Sequence, residues 1–160
     1  MRLFMVCVLV LIPGLAAVAQ SGGDPPYVAT LWNEGDPGER LEIRGIVMDA
    51  KGNPVAGAEV STRQADGGGT YTEQYQATMI TNQRGEYVLR TARPGNYGVP
   101  MHIHISATHP TAGYAYTEIR FKGDPLLPKE DMEDAIALET VRIDGREHKV
   151  GTFHITLKSN

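Results

Sequence analysis

The stretch LEIRGIVMDAKGNPVAGAEVSTRQ, Leu41–Gln64, decides the fold. Leu41 to Asp49 carries Ile43, Ile46 and Val47 in a strand-like run. Lys51-Gly52-Asn53-Pro54 then makes a turn, because Gly and Asn accept positive φ and Pro blocks strand pairing. A second strand follows from Ala58 to Gln64. The same grammar continues outward, with Gly67-Gly68-Gly69 as a loop, Gln76 to Thr81 as a strand and Asn82 to Gly85 as a turn. Glu86 to Thr91, Met101 to Ala107, Ala115 to Phe121, Thr140 to Ile143 and Thr152 to Leu157 complete the strands. In the last of these Phe153, Ile155 and Leu157 alternate with His154 and Thr156, so one face is expected to be buried. About eight short strands with regular turn signals predict an all-β protein, a β-sandwich. At most one short helix is expected, over Lys129 to Leu138 after Pro128, with Glu130, Asp131, Glu133 and Asp134 suited to its N-terminus. Otherwise that acidic cluster reads as a solvated face.

Upstream of Leu41 the composition changes. Residues 20–40 are rich in Gly, Pro, Asp and Glu and read as an N-terminal arm, with Trp32 packing on a neighbouring surface. Residues 1–19 read as a signal peptide: Arg2, an apolar run from Leu3 to Ile12, a Pro13-Gly14 break, and Ala17-Val18-Ala19 before a cut ahead of Gln20. The run is short for a membrane span, so a secreted or periplasmic protein with no membrane contact after cleavage is expected. The remaining sandwich domain is residues 41–160. The chain's 160 residues suit one domain and are too few for a βα-barrel enzyme. Its one cysteine, Cys7, lies in the leader, which excludes a disulfide scaffold and a zinc ribbon. A net charge of −4 argues against nucleic acid as the main partner. Nothing in the sequence fixes the oligomeric state.

The sharpest chemical feature is Met101-His102-Ile103-His104-Ile105. On a strand, His102 and His104 share one face with Cα atoms roughly 6.5–7 Å apart, close enough for two imidazoles to meet at one metal. Alone, the pair also reads as two exposed residues of a surface strand, the commoner case. Its neighbours are two tyrosines in tight turns: Tyr71 closes the Gly-rich loop Gln64-Ala65-Asp66-Gly67-Gly68-Gly69-Thr70, and Tyr97 ends Arg93-Pro94-Gly95-Asn96. No Gly-Lys-Ser/Thr follows the glycines, so the loop is not a phosphate cradle.

Taken in order, GIVMDAKGNPVAGAEV, QADGGGTY, TNQRGEYVLRTARPGNY, HIH and FKGDP make a pattern that resembles the intradiol ring-cleavage dioxygenases, from about Ile43 to Pro125. The resemblance implies a mononuclear, non-haem Fe(III) held by Tyr71, Tyr97, His102 and His104. It further implies O2-dependent cleavage of a catechol-type aromatic ring between its two hydroxyl-bearing carbons, with Tyr97 as the ligand that leaves the metal and accepts a proton. Phenolate is a hard donor that suits ferric iron, and zinc sites rarely recruit Tyr. Tyr75, Tyr87, Tyr114 and Tyr116 read as aromatics with their hydroxyls bonded.

The chain also departs from the family pattern. The family places an Arg shortly before the first His, where it stabilises negative charge on the substrate; here Gly98-Val99-Pro100-Met101 contains none. Glu118 stands in place of a family Gln and Arg120 in place of a Tyr. These two share a strand face. They are the further catalytic candidates, Arg120 as the replacement cation, with a surface ion pair as the plainer reading. His109, His148 and His154 are assigned no role. The alternative to catalysis is a transthyretin-like binding module that keeps the scaffold.

Overall fold

A computed structural model describes residues 25–159, so the expected leader lies outside the described residues. Ten strands and one short 3₁₀ turn form two sheets. The strands are β1 (Val28–Thr30), β2 (Arg40–Met48), β3 (Glu59–Ala65), β4 (Tyr71–Ile80), β5 (Glu86–Ala92), β6 (His102–His109), β7 (Gly113–Arg120), β8 (Glu139–Ile143), β9 (Arg146–Thr152) and β10 (Ile155–Thr156). One sheet runs β1-β5-β2-β9-β8, with β10 also pairing β2; the other runs β4-β3-β6-β7. The β-sandwich expected from the sequence is therefore the observed fold.

The core lies between the sheets. Ile43, Val47, Tyr87 and Leu89 of the first sheet meet Val60, Met79, Ile103, Ile105 and Ile119 of the second, joined by Phe121 and Leu157. Burying such side chains supplies about 1.5–3 kcal/mol each before the entropy of ordering them is subtracted. The alternation that buries Ile103 and Ile105 turns His102 and His104 to the outer face of the second sheet.

Several expectations need correction. The last strand is not continuous from Thr152 to Leu157: β9 and β10 lie along the same edge of β2, separated at Phe153 and His154. At the break the Ile46 amide donates to His154 Nδ1, and the Tyr87 hydroxyl donates to the Phe153 carbonyl. Side chains thus satisfy backbone groups that the ladder leaves open. The residues from Arg146 up to Thr152, where no strand is expected, form strand β9, and Asp144-Gly145, both at positive φ, is its two-residue hairpin turn with β8. Within the expected arm, Val28 to Thr30 forms a strand pairing in parallel with β5. β4 begins at Tyr71, five residues before its expected start. The expected helix shrinks to a 3₁₀ turn over Lys129–Asp131. Beyond it, the Ile136 amide donates to the Arg120 carbonyl and the Ile136 carbonyl accepts from the Lys122 amide. That extended pairing overrides a local helix preference that Lys129, Glu130, Met132, Ala135 and Leu138 supply, since a helix this short is marginal without packing. Trp32 does pack, under the Arg40 guanidinium at 3.5 Å.

Candidate metal centre

Two loops and one strand deliver the donors. In the β3–β4 loop the Asp66 carboxylate accepts from the Gly68 and Thr70 amides, both at 2.9 Å, folding the chain tightly into Tyr71. The β5–β6 loop is pressed against it, with the Gly95 amide donating to the Asp66 carbonyl at 2.8 Å. No side chain fits between them: a Cβ on Gly95 would lie 2.4 Å from the Gly67 carbonyl oxygen. This close approach is what the glycine-rich sequence provides, and it brings Tyr97 over Tyr71. Beneath the loops buried Gln64 donates to the carbonyls of Ala65 and Ala92 and accepts from the Thr91 hydroxyl, tying their roots together. The buried carboxylate of Asp124, from the FKGDP segment, accepts from the Met101 amide and fixes the entry to β6.

The four donor atoms converge. The Tyr71 hydroxyl lies 3.1 Å from that of Tyr97, 3.4 Å from His102 Nε2 and 3.2 Å from His104 Nε2. His102 Nε2 is 3.3 Å from the Tyr97 hydroxyl and 3.2 Å from His104 Nε2. Four ligands on a cation at 2.0–2.2 Å would be separated by roughly 3.3–3.6 Å, so these donors fit a single metal ion. The His102 tautomer also fits. Nδ1 donates to the Pro100 carbonyl at 2.7 Å, which leaves Nε2 as a lone pair aimed at the centre.

Behind His104 stand Tyr116, which the sequence reading left out of the site, and Glu118, which it named. His104 Nδ1 lies 2.9 Å from the Tyr116 hydroxyl, and the two rings stack at 20°. The Glu118 carboxylate is 3.5 Å from the same nitrogen. His102, His104 and Glu118 also form a group whose potential ligand atoms lie within 4.8 Å of one another. Because Glu118 approaches Nδ1, it backs the imidazole rather than joining the Nε2 cluster. Burial, reinforced by the neighbouring His102, holds His104 below its ordinary pKa and so favours its neutral, ligating form. Burial and the hydrogen bond to Tyr97 push the Tyr71 phenol up to about 12, so a bound cation would have to drive its ionisation. Arg120 is held by Glu118 and also by Asp131, the ion pair that the plainer reading described.

The other histidines lie elsewhere. His109 Nδ1 accepts from the Thr111 and Ala112 amides in the β6–β7 turn, His148 lies in β9, and His154 fills the break beside β2. Tyr75 donates to Asp36, and Tyr87 to the Phe153 carbonyl.

The family model described as Dioxygenase matches residues 19–157. Together with this fold and donor set, that match places the chain in the intradiol ring-cleavage dioxygenase family. The chain is 33% identical over 116 residues to the protocatechuate 3,4-dioxygenase beta chain of Burkholderia cepacia, covering 58% of this chain and 49% of that one. It is 23% identical over 159 residues to the chlorocatechol 1,2-dioxygenase of Rhodococcus opacus, covering 78% and 62%. Among solved structures it resembles the dioxygenase domain of a dioxygenase–carbohydrate-binding protein fusion from the cellulolytic bacterium Streptomyces sp. SirexAA-E. The TM-score there is 0.67 at 25% identity, covering 90% of this chain and 98% of that one. The chain spans about half to three-fifths of the length of the sequence relatives it matches.

Proposed function

We propose that this chain is an exported, Fe(III)-dependent intradiol dioxygenase that opens a catechol-type ring with O2. The observation that carries the reading is the convergence of two phenols and two imidazoles on one point of the outer sheet face. That donor set is hard and anionic once ionised, which suits ferric iron. Ferric iron held there would supply Lewis acidity and a template for both catechol oxygens.

The chain's own residues divide the remaining work. His102 and His104 enter from a strand anchored in the core, and Tyr71 from the first position of β4, so these three would hold the cation. Tyr97 is on a loop and 41% exposed, the placement expected of a phenol that swings out and takes a proton on its oxygen from an arriving catechol. Tyr116 and Glu118 orient His104 through Nδ1, and Arg120 balances the Glu118 charge. The sandwich of residues 41–160 is the proposed catalytic domain, with residues 20–40 as its arm; the export half of the proposal rests on residues 1–19.

The test is metal content with a visible spectrum after ferric loading. A red to burgundy band is expected, bleached by Tyr71→Phe and by His102→Ala. Added catechol should shift the band, consume O2 and yield a muconate-type diacid. A protein that stays colourless overturns the ligand assignment; a band shift without O2 uptake overturns ring cleavage.

A further inference from the structure

The segment between Tyr97 and His102 carries no arginine, so that loop sets no cation beside the negative charge that a doubly deprotonated catechol would carry on its ring. Arg120 is poorly placed to serve. Its guanidinium lies between the carboxylates of Glu118 and Asp131, so the trio presents net negative charge. Arg63 differs. It sits on β3, directly opposite His104 in the ladder, and its exposed side chain emerges on the same outer face. Its Cζ is 5.1 Å from the centre of the Tyr71 ring. Among the described residues no carboxylate pairs with it, whereas Arg44, Arg84, Arg90, Arg93, Arg120, Arg142 and Arg146 all have acidic partners. An open groove of about 560 Å³, lined by Ser61, Arg63, Gln76, His104, Ser106 and Tyr116, places the guanidinium on the surface that borders the metal centre.

We propose that Arg63 is a catalytic residue: its guanidinium contacts a catecholate bound at the centre and stabilises negative charge on the ring. This rests on the functional reading above and assigns to β3 the cation that the β5–β6 loop lacks. The test is a spectral titration of the ferric-loaded protein with 4-nitrocatechol. Arg63→Gln should weaken 4-nitrocatechol binding about 10- to 100-fold, the scale of a lost charge-assisted hydrogen bond, while ferric uptake and the band of the ligand-free protein stay as in the wild type. Arg63→Lys should recover part of the loss, since it keeps the charge but not the planar fork. Unchanged 4-nitrocatechol affinity in Arg63→Gln overturns the proposal and leaves the functional reading standing. A shifted ligand-free band or lost ferric uptake in Arg63→Gln also overturns it, because Arg63 would then be a support for Tyr71. A wild-type protein with no band on ferric loading defeats the functional reading, and this proposal with it.

Discussion

Gly95→Ala should weaken ferric binding without touching any donor. The added Cβ would fall 2.4 Å from the Gly67 carbonyl oxygen and 2.5 Å from the Gly69 nitrogen. Ordinary contact requires the two loops to separate by about 1 Å. That separation stretches the 2.8 Å hydrogen bond from Gly95 to Asp66. It also pulls Tyr97 from Tyr71, whose hydroxyls now lie 3.1 Å apart. To bind the cation the loops must close against the overlap, at the cost of an overpacked contact, about 1–3 kcal/mol. Ferric affinity should therefore fall about 5- to 150-fold, since each 1.4 kcal/mol is a factor of ten. The assay is a competition titration against a ferric chelator, followed at the visible band, with a thermal melt of the metal-free protein beside it. The metal-free melt should fall as well, because the parted loops weaken the hydrogen bond from Gly95 to Asp66, so the titration is run well below both midpoints. Wild-type ferric affinity with an unchanged band in Gly95→Ala would refute the idea that glycine contact sets the tyrosine spacing.

Other outcomes follow from the same structure. Tyr116→Phe leaves the His104 ring in place but removes the hydroxyl at Nδ1; ferric affinity should drop about 10- to 100-fold in the same titration. Glu42 is buried, which alone would raise its pKa, but hydrogen bonds from Arg90 and Arg44 outweigh burial and hold it below the ordinary value of 4.5. Its contribution to stability is present above that value and lost as pH falls through the lower folded-state pKa. The Tm should thus fall on acidification below about pH 4.5. Glu42→Gln should flatten that part of the curve, and a Tm that does not respond to acid would contradict this. Chelation of a ferric-loaded sample should lower the Tm while leaving the far-ultraviolet β-sheet signal intact. Loss of that signal would show that the sandwich needs its metal.

The fold was largely legible because most strands are bounded by Gly, Pro or Asn turns and alternate in burial as period two requires. Leu41 and Ile43, or Ile103 and Ile105, announce a buried face without any long-range knowledge. β9 was hidden for the opposite reason. Arg146-Glu147-His148-Lys149 is polar on both faces in an exposed hairpin, and the telling signal was the Asp144-Gly145 turn before it. β1 is three residues long and finds its partner, β5, some sixty residues further on, so no local pattern marks it. Within the site, the spacing of His102 and His104 was readable, but the tyrosines acquired meaning only through the family pattern. Tyr116 and Arg63 emerge only with strand register, which sets the outer faces of β7 and β3 beside His104. The isolated sequence contains those residues without their adjacency.

Over its first four residues β6 places imidazoles outside and isoleucines inside. Chemistry and folding therefore draw on different members of one strand, and mutation can sample them separately. Exchanging the outer set for another metal's donors, or for none, removes no methyl group from the core. Catalytic history can thus be rewritten on this surface while the sandwich beneath persists, and loss of activity need not announce itself as loss of structure.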